Sequence, residues 1–331
     1  MHIVSKKHIK YAVVDAFTDR PFKGNPAAVC LLEAGHKKEE EWFLGIAREF
    51  NAPITCYLTR VLCDDDDNDD NCDECEYGNE FNPVFNIRWF TTVAEVDICG
   101  HATMAAAQFL FTSSLVKSNQ IRFIGLSGSL TAKKCPARKS DQDMLDGSKI
   151  LSNGIQGEED NRCRDPEDFF IELDFPTTTL VECDPLEIPS IPQTLNGASV
   201  LNIKKTAAFG DLIIEVSSGQ NVIDLKPNYD ELKGWTGGRG VVFTGRALDG
   251  SGLDFISRLF SPNLGVDEDA VCGSAHCALA PYWSKKLGKS DFLAYMASPR
   301  GRVLDLHLDK EIQRLKIRGK AFVVMKGALL A

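Results

Sequence analysis

One short pattern occurs twice in this chain, and the repeat constrains the fold more than any other feature of the sequence. The first copy, RWFTTVAEVDICGHATMAAAQFLF, covers 88–111, and the second, RLFSPNLGVDEDAVCGSAHCALAPYW, covers 258–283. In both copies an Arg-x-Phe segment is followed by turn residues, a Val-Asp pair and a Cys-Gly pair that opens a run of helix formers. An internal repeat indicates two similar structural units. We therefore predict two pseudo-symmetric halves.

Each Cys-Gly pair lies where β-type sequence gives way to strong helix formers, so it predicts a helix N-terminus. The pairs are Cys99-Gly100 and Cys272-Gly273. Free N–H groups and the positive end of the helix dipole bind anions at such a terminus, and they lower the pKa of a thiol. If the halves bring the two helix ends together, we expect a small anion site between them.

The two cysteines are candidate catalytic groups for proton transfer. Removing a proton from a carbon next to a carboxylate requires a base on one face, and inversion requires an acid on the other. Cys99 and Cys272 at opposed helix ends would supply both. The alternative is that each is a small buried hydrophobic residue, which is the usual role of an isolated cysteine.

Four polar residues have two possible roles each, one in catalysis or substrate binding and one in capping a helix or forming a turn. His101 is either a general acid that donates to a carboxylate or a helix-end residue satisfied by backbone. Asp269 is either a base or the N-cap of the second helix. Asn25 and Ser274 are either substrate ligands, with Gly273 giving close backbone access, or residues of a turn and a cap.

The composition narrows the possible partners and cofactors. The net charge is −10, but residues 64–76 hold nine acids and no base, so the remainder carries only −1. This balance argues against nucleic acid or an acidic membrane as a partner. The start of the chain lacks a signal core, and the eleven cysteines are scattered and odd in number. We therefore expect reduced thiols in a soluble, cytoplasmic protein.

Neither a metal nor a nucleotide cofactor is expected. Cys72 and Cys75 form a CxxC pair, but no second pair or His pair nearby completes a zinc site. The glycine-rich segment 234–240 lacks the Lys-Ser/Thr ending and the spacing of a phosphate-binding loop.

The order of strands and helices indicates an α+β protein in which each half contains several strands and then one apolar helix. We predict helices at 38–51, 99–113 and 225–235, and polar surface segments at about 63–82 and 133–168. Residues 1–125 are assigned to the N-terminal half, which the closing strand 313–331 joins. Residues 126–312 are assigned to the C-terminal half.

Blocks of this sequence occur in the order of one known family. They are VDAFTDRPFKGNPAAV, IAREFN, RWFT with EVDICGHAT, LDFP, GVDEDAVCGSAHCALAPYW and SPRGR. They resemble the phenazine-biosynthesis PhzF-like isomerase family. The resemblance implies a diaminopimelate epimerase-like fold, in which two pseudo-symmetric domains each wrap a β-barrel-like sheet around a central helix. It also implies a cofactor-free isomerase, a homodimer, that acts on a small carboxylic acid in the cleft between the domains.

The resemblance also carries site residues over to this chain. The family's substrate-binding Asn falls on Asn25, its Gly-His pair on Gly100 and His101, its Asp on Asp269, and its Gly-Ser pair on Gly273 and Ser274.

Two positions depart from the family pattern. The family's catalytic Glu follows the first helix, and here Ile54 takes its place, which cannot transfer a proton. Where the family commonly has Thr, this chain has Cys272. The two Cys-Gly segments therefore resemble those of diaminopimelate epimerases, whose paired cysteines are the two bases.

These departures lead to one prediction and two alternatives. We predict an isomerase of the epimerase or racemase type in which Cys99 and Cys272 are the paired acid and base. The first alternative is a PhzF-like allylic isomerase that uses Asp269 and His101. The second is a catalytically silent relative that binds a metabolite or a protein.

Overall fold

The computed structural model describes residues 8–33, 35, 38–61, 82–136 and 169–330. The acidic run 64–76, which contains Cys72 and Cys75, lies outside the described residues, as does 137–168 of the second predicted surface segment.

The described elements before the gap at 137–168 are, in chain order, β1 (Ile9–Ala16), β2 (Asn25–Leu32), α1 (Glu40–Phe50), β3 (Ile54–Arg60), β4 (Val84–Phe90), β5 (Glu95–Val96), α2 (Gly100–Thr112), β6 (Gln120–Gly125) and β7 (Gly128–Pro136).

The described elements after the gap are β8 (Phe169–Pro176), β9 (Leu180–Glu182), α3 (Pro192–Leu195), β10 (Val200–Thr206), β11 (Leu212–Val216), α4 (Gly219–Ile223), α5 (Tyr229–Leu232), β12 (Val241–Arg246), β13 (Phe255–Ser261), a 3-10 turn (Pro262–Leu264), β14 (Val266–Asp269), α6 (Gly273–Leu287), β15 (Asp291–Met296), β16 (Val303–Asp309), β17 (Arg314–Gly319) and β18 (Ala321–Leu329).

The described strands form one continuous hydrogen-bonded sheet with an internal symmetry. Neighbouring strands run in the order β18-β1-β2-β3-β4-β6-β7-β8 and then β17-β16-β15-β13-β12-β11-β10-β9. Each run contains two parallel strand pairs at equivalent positions. They are β2–β3 and β4–β6 in the first run, and β11–β12 and β13–β15 in the second. The α+β architecture with two pseudo-symmetric halves is therefore confirmed.

The two halves exchange chain segments at the β8–β17 junction. β8 is followed by β9, which pairs with β10 in the second run. β17 is followed by β18, which pairs with β1 in the first run. The predicted boundary at 125/126 falls inside the β6–β7 hairpin.

Helix α2 is a core element rather than a surface helix, as is typical of a helix that is apolar on nearly every side. Every residue from Gly100 to Phe111 is buried. The helix packs against β1, β2, β3, β8 and β18, so strands surround it. Helix α6 occupies the matching place in the second half, where residues 273–280 are buried and the helix contacts β8, β16 and β17.

The helix predicted at 225–235 is wrong in its extent, since the structure shows only Tyr229–Leu232. Pro227 disfavours helical backbone at the residue before it. The side chain of Asn228 then caps α5 by accepting from the backbone N–H groups of Asp230 and Glu231. Within the described residues, no helix has the length and apolarity needed to cross a membrane.

Candidate active site

The two Cys-Gly pairs form the N-termini of the two central helices, as predicted. Cys99 is the N-cap of α2 and Cys272 is the N-cap of α6, so the helices begin at Gly100 and Gly273. A Cβ atom added to Gly100 would lie 2.9 Å from the Cα atom of Gly273. The two helix ends therefore meet at these glycines. Neither helix carries an acidic residue in its first turn, so both positive ends are open to an anion.

A pocket lies beside this meeting point and draws its walls from both runs of strands. It encloses about 590 Å³ of space not filled by protein atoms, including its open mouth. Cys99, Gly100, His101, Asp269, Cys272 and Ser274 of the predicted site residues line it. The structure thus brings together six of the eight, while Asn25 and Gly273 lie just behind the pocket wall.

The helix N-termini were expected to lower the pKa of both thiols, but the pKa of each thiol is raised. Cys99 is 6% exposed and Cys272 is 7% exposed. Burial raises the pKa of Cys99 to about 12 and raises that of Cys272 well above its ordinary value. Backbone N–H groups at the helix ends, from Ala102 and Ala275, lower both pKa values as expected, but by less than desolvation raises them. Both thiols are therefore protonated near neutral pH.

Each thiol has a polar neighbour two residues along the chain. The Sγ atom of Cys99 lies 3.4 Å from Nδ1 of His101, and the Sγ atom of Cys272 lies 3.4 Å from Oγ of Ser274. Burial lowers the pKa of His101, against the charge of Asp269, so this imidazole is neutral near pH 7. The Nε2 atom of His101 is buried without a partner among the described residues.

Asp269 does not cap helix α6. Its Oδ1 atom accepts a hydrogen bond from Nδ2 of Asn25, which also donates to the backbone oxygen of Val271 at 3.0 Å. No side chain caps α6, because Cys272 occupies the N-cap position. Asn25 is fully buried, so in this structure it orients the Asp269 carboxylate rather than lining the pocket.

Sequence reasoning missed an ion pair, Asp211 with Arg239, that lines the same pocket. The backbone N–H and Nε of Arg239 donate to Oδ1 of Asp211 at 3.2 and 3.1 Å, and Nη2 donates to Oδ2. Arg239 lines the pocket together with both thiols, and its charge opposes the larger rise in thiol pKa that burial causes. Arg239 belongs to the glycine-rich segment 234–240, where the only signal was a weak likeness to a nucleotide loop.

Two equivalent Arg–Glu pairs brace the hairpins that lead into the helices. Arg88 on β4 donates through Nε and Nη2 to both oxygens of Glu95 on β5, at 2.7 and 2.6 Å. Arg258 on β13 makes the same two bonds to Glu268 on β14, at 2.7 and 2.9 Å. Each Glu precedes its cysteine by four residues, so the repeat itself carried the signal for these pairs.

The hairpin tips also touch each other. A Cβ atom on Gly265, at the tip of the β13–β14 hairpin, would lie 2.9 Å from Oγ1 of Thr92 at the tip of the β4–β5 hairpin. Gly265 has a φ of +76°, which favours glycine there. The pocket therefore lies between two contacts of the halves, one at the helix ends and one at the hairpin tips.

His276 also supports the site. It is fully buried, its ring stacks on Phe255, and Nδ1–H donates to the backbone oxygen of Cys272 at 2.7 Å. Burial lowers the pKa of His276 to about 4. Ile54 also lines the pocket. Among the described residues no group of three or more His, Cys, Asp or Glu side chains is placed to hold a metal ion.

Comparisons with known proteins all point to one family, and they match this chain over nearly its full length. The pattern of the family described as phenazine biosynthesis-like protein (PhzC-PhzF) matches residues 14–327. An uncharacterized isomerase of Halalkalibacterium halodurans is 34% identical over 320 residues, covering 96% of this chain and 97% of the relative. The phenazine biosynthesis-like domain-containing protein of Homo sapiens is 33% identical over 329 residues, covering 96% and 98%. A crystal structure of a PhzF family protein from Enterococcus faecalis superposes with a TM-score of 0.68 at 29% identity, covering 98% of this chain and 99% of that one.

Proposed function

Because the chain belongs to the PhzC/PhzF family of phenazine biosynthesis-like proteins, we propose that its pocket catalyses proton transfer on a small carboxylic acid. The chain has the diaminopimelate epimerase-like fold, and it is an isomerase, as several of its relatives are named. The proposed reaction is cofactor-independent and of the epimerase or racemase type, with Cys99 and Cys272 as the paired acid and base.

The observation that carries this proposal is the meeting of two cysteine-capped helix N-termini beside one pocket. A carboxylate that enters the pocket meets the backbone N–H groups and the positive dipole ends of two helix N-termini. The same groups face the negative charge that grows on the carboxylate when the neighbouring carbon loses its proton. Cys99 comes from one half and Cys272 from the other, which suits attack on opposite faces of that carbon.

The proposed proton transfer uses one cysteine in each protonation state. The thiolate removes the proton from the carbon next to the carboxylate, and the thiol on the other side donates its own proton to that carbon. After turnover the two cysteines have exchanged states, and they are restored when the new thiol loses its proton to solvent and the new thiolate takes one up. Since burial keeps both thiols protonated at rest, one thiol proton must leave first. The negative charge of Asp269 adds to burial in raising the pKa of both thiols, and a proton on Asp269 removes that charge, so Asp269 is the carboxylate we assign to receive it.

The raised thiol pKa values favour a second candidate that needs no thiolate. In this allylic isomerisation Asp269, oriented by Asn25, removes the proton, and His101 donates one from its Nε2 side. The lowered pKa of His101 leaves it neutral, so it is a donor only in the tautomer that carries a proton on Nε2.

The test is incorporation of solvent deuterium. The purified protein is incubated in D2O with a panel of small carboxylic, hydroxy and amino acids, and exchange next to the carboxylate is followed by NMR. If the two-thiol mechanism is right, Cys99→Ala and Cys272→Ala each abolish exchange. Cys277→Ala is the matched control, because Cys277 is buried in helix α6, which begins after Cys272, and does not line the pocket.

The other results separate the alternatives. Exchange that survives in both cysteine variants but is lost in Asp269→Asn selects the Asp269 and His101 mechanism. Thermal stabilisation by a carboxylate without any exchange indicates the silent binding relative, since stabilisation reports binding alone.

A further inference from the structure

The lining of the pocket has more apolar than polar surface. Its polar end is formed by the helix N-termini and the two thiols, and Asp269 and the Asp211–Arg239 pair also line the pocket. Its apolar side chains, which together are called the apolar wall, are Ile54, Val96, Ile98, Leu259, Leu264 and Val266. We infer that the substrate is a small monocarboxylic acid with an apolar body, whose carboxylate lies at the helix ends and whose hydrocarbon part packs on the apolar wall. This inference rests on the proposed function and deepens it by naming the substrate class.

The apolar wall comes from both halves and is part of their braced hairpins. Val96 lies on β5 and Ile98 lies just before α2, while Leu259 lies on β13 and Val266 on β14. The Arg–Glu pairs that hold these hairpins therefore also hold the wall in place. An apolar body that displaces water from such a wall gains affinity with each added methylene.

The charges of the pocket exclude a second carboxylate on the substrate. Among the lining residues that the structure describes, Arg239 is the only Lys or Arg, and Asp211 holds it through three hydrogen bonds. A second carboxylate on the apolar wall would be buried without a cation of its own, which is strongly unfavourable.

Ile54 decides the character of the wall. It begins strand β3 and is buried at the pocket surface. With Ile54 the pocket presents a hydrocarbon surface where an acidic residue would repel an apolar body and attract a cation. We therefore assign Ile54 as a specificity-determining residue.

The experiment measures binding rather than turnover. Dissociation constants are determined by calorimetry at fixed ionic strength for acetate, propanoate, butanoate and pentanoate, and for glutarate, which has five carbons like pentanoate but two carboxylates. We expect affinity to rise by up to about fourfold per methylene. Glutarate should bind at least about tenfold more weakly than pentanoate, because its second carboxylate has no partner.

Variants at Ile54 locate the effect. Ile54→Thr keeps a β-branched residue in the strand but makes the wall polar, so it should weaken pentanoate binding several-fold and leave acetate binding unchanged. Ile54→Val keeps the wall apolar and should behave like the wild type in both. Melting temperatures confirm that both variants are folded.

Three binding results would contradict the inferred ligand class. An affinity that does not depend on chain length, a preference for glutarate, or no binding of any of these acids would overturn the inference. Failure of the proposed function is a different result: chain-length-dependent binding that persists in Cys99→Ala, with no deuterium exchange on any acid in the wild type, rejects catalysis and keeps the ligand class. Exchange confined to dicarboxylates would reject the ligand class and keep catalysis.

Discussion

Gly100 and Gly273 are in backbone contact across the two halves of the molecule. A Cβ atom on Gly100 would lie 2.9 Å from the Cα atom of Gly273 and 3.2 Å from the backbone nitrogen of Ser274. Backbone atoms cannot rotate away as a side chain can. The contact therefore fixes both the distance between the helix ends and the position of the cysteine before each glycine.

Replacing Gly100 with Ala should push the helix ends apart. We expect Gly100→Ala to lower the free energy of unfolding by about 1–3 kcal/mol, as overpacking does, and to abolish deuterium exchange. Gly273→Ala should be milder, because its nearest contact would be 3.3 Å, from Cα of Gly100. The control is Gly45→Ala in α1, where nothing lies within 4 Å of the added atom. That change should stabilise the protein by about 0.5–1 kcal/mol, as measured by urea denaturation.

Alkylation should follow exposure rather than position at a helix end. Because Cys99 and Cys272 are buried and protonated, iodoacetamide at pH 8 should modify the partly exposed Cys135 and Cys183 before it modifies either of them. Peptide mass spectrometry over time gives the order, with the urea-unfolded protein as reference. Rapid modification of Cys99 or Cys272 in the folded protein would show that the helix N-termini outweigh burial.

His276 should make the protein sensitive to mild acid. The folded pKa is about 4 against an ordinary value of 6.5, so the unfolded chain takes up the proton first as the pH falls. The contribution of His276 is fully present above pH 6.5 and is lost as the pH falls through 4. That difference amounts to about 3 kcal/mol.

The acid effect is checked with His276→Gln, whose side chain can still donate to the backbone oxygen of Cys272. Between pH 7 and pH 4 this variant should lose less of its unfolding free energy than the wild type does. His307→Gln is the control, because His307 is half exposed and pairs with Asp291 at the surface. Equal pH dependence in the wild type and His276→Gln would refute the assignment.

The Arg258–Glu268 and Arg88–Glu95 pairs should contribute differently to the free energy of unfolding, because they differ in burial. Arg258 is 8% exposed and Glu268 is 12% exposed, so Arg258→Met leaves a buried carboxylate unpaired. We expect a loss of about 3–5 kcal/mol. Arg88 is 39% exposed, so Arg88→Met should cost less. The exposed pair of Arg48 with Glu41 is the control, and its loss should cost about 1 kcal/mol or less.

The features that could be predicted from the sequence are those that depend on residues close together in the chain. Both helix starts at the Cys-Gly pairs, the buried nature of α2 and the pseudo-symmetry follow from the repeat and from local helix propensity. The pocket itself follows from bringing the two helix ends together. These features needed no knowledge of distant contacts.

The features that sequence reasoning missed depend on distant contacts. Asn25 and Asp269 are 244 positions apart, so nothing local indicated that one orients the other. The pKa of Cys99 depends on burial by both halves, which outweighs the helix effect that the local sequence reveals. Arg239 was overlooked because its glycine-rich segment was tested only as a phosphate loop.

The pairing of β1 with β18 has a consequence for the order in which the protein is made. Ile9 pairs with Leu329, so the first described strand must wait for more than three hundred residues of synthesis before its partner exists. The strands from β9 to β17 leave the ribosome earlier than β18 does. The second half can therefore begin to close during translation, while the first half keeps an open β1 edge until β18 has been made. Chaperones that act on this protein should meet that unpaired edge.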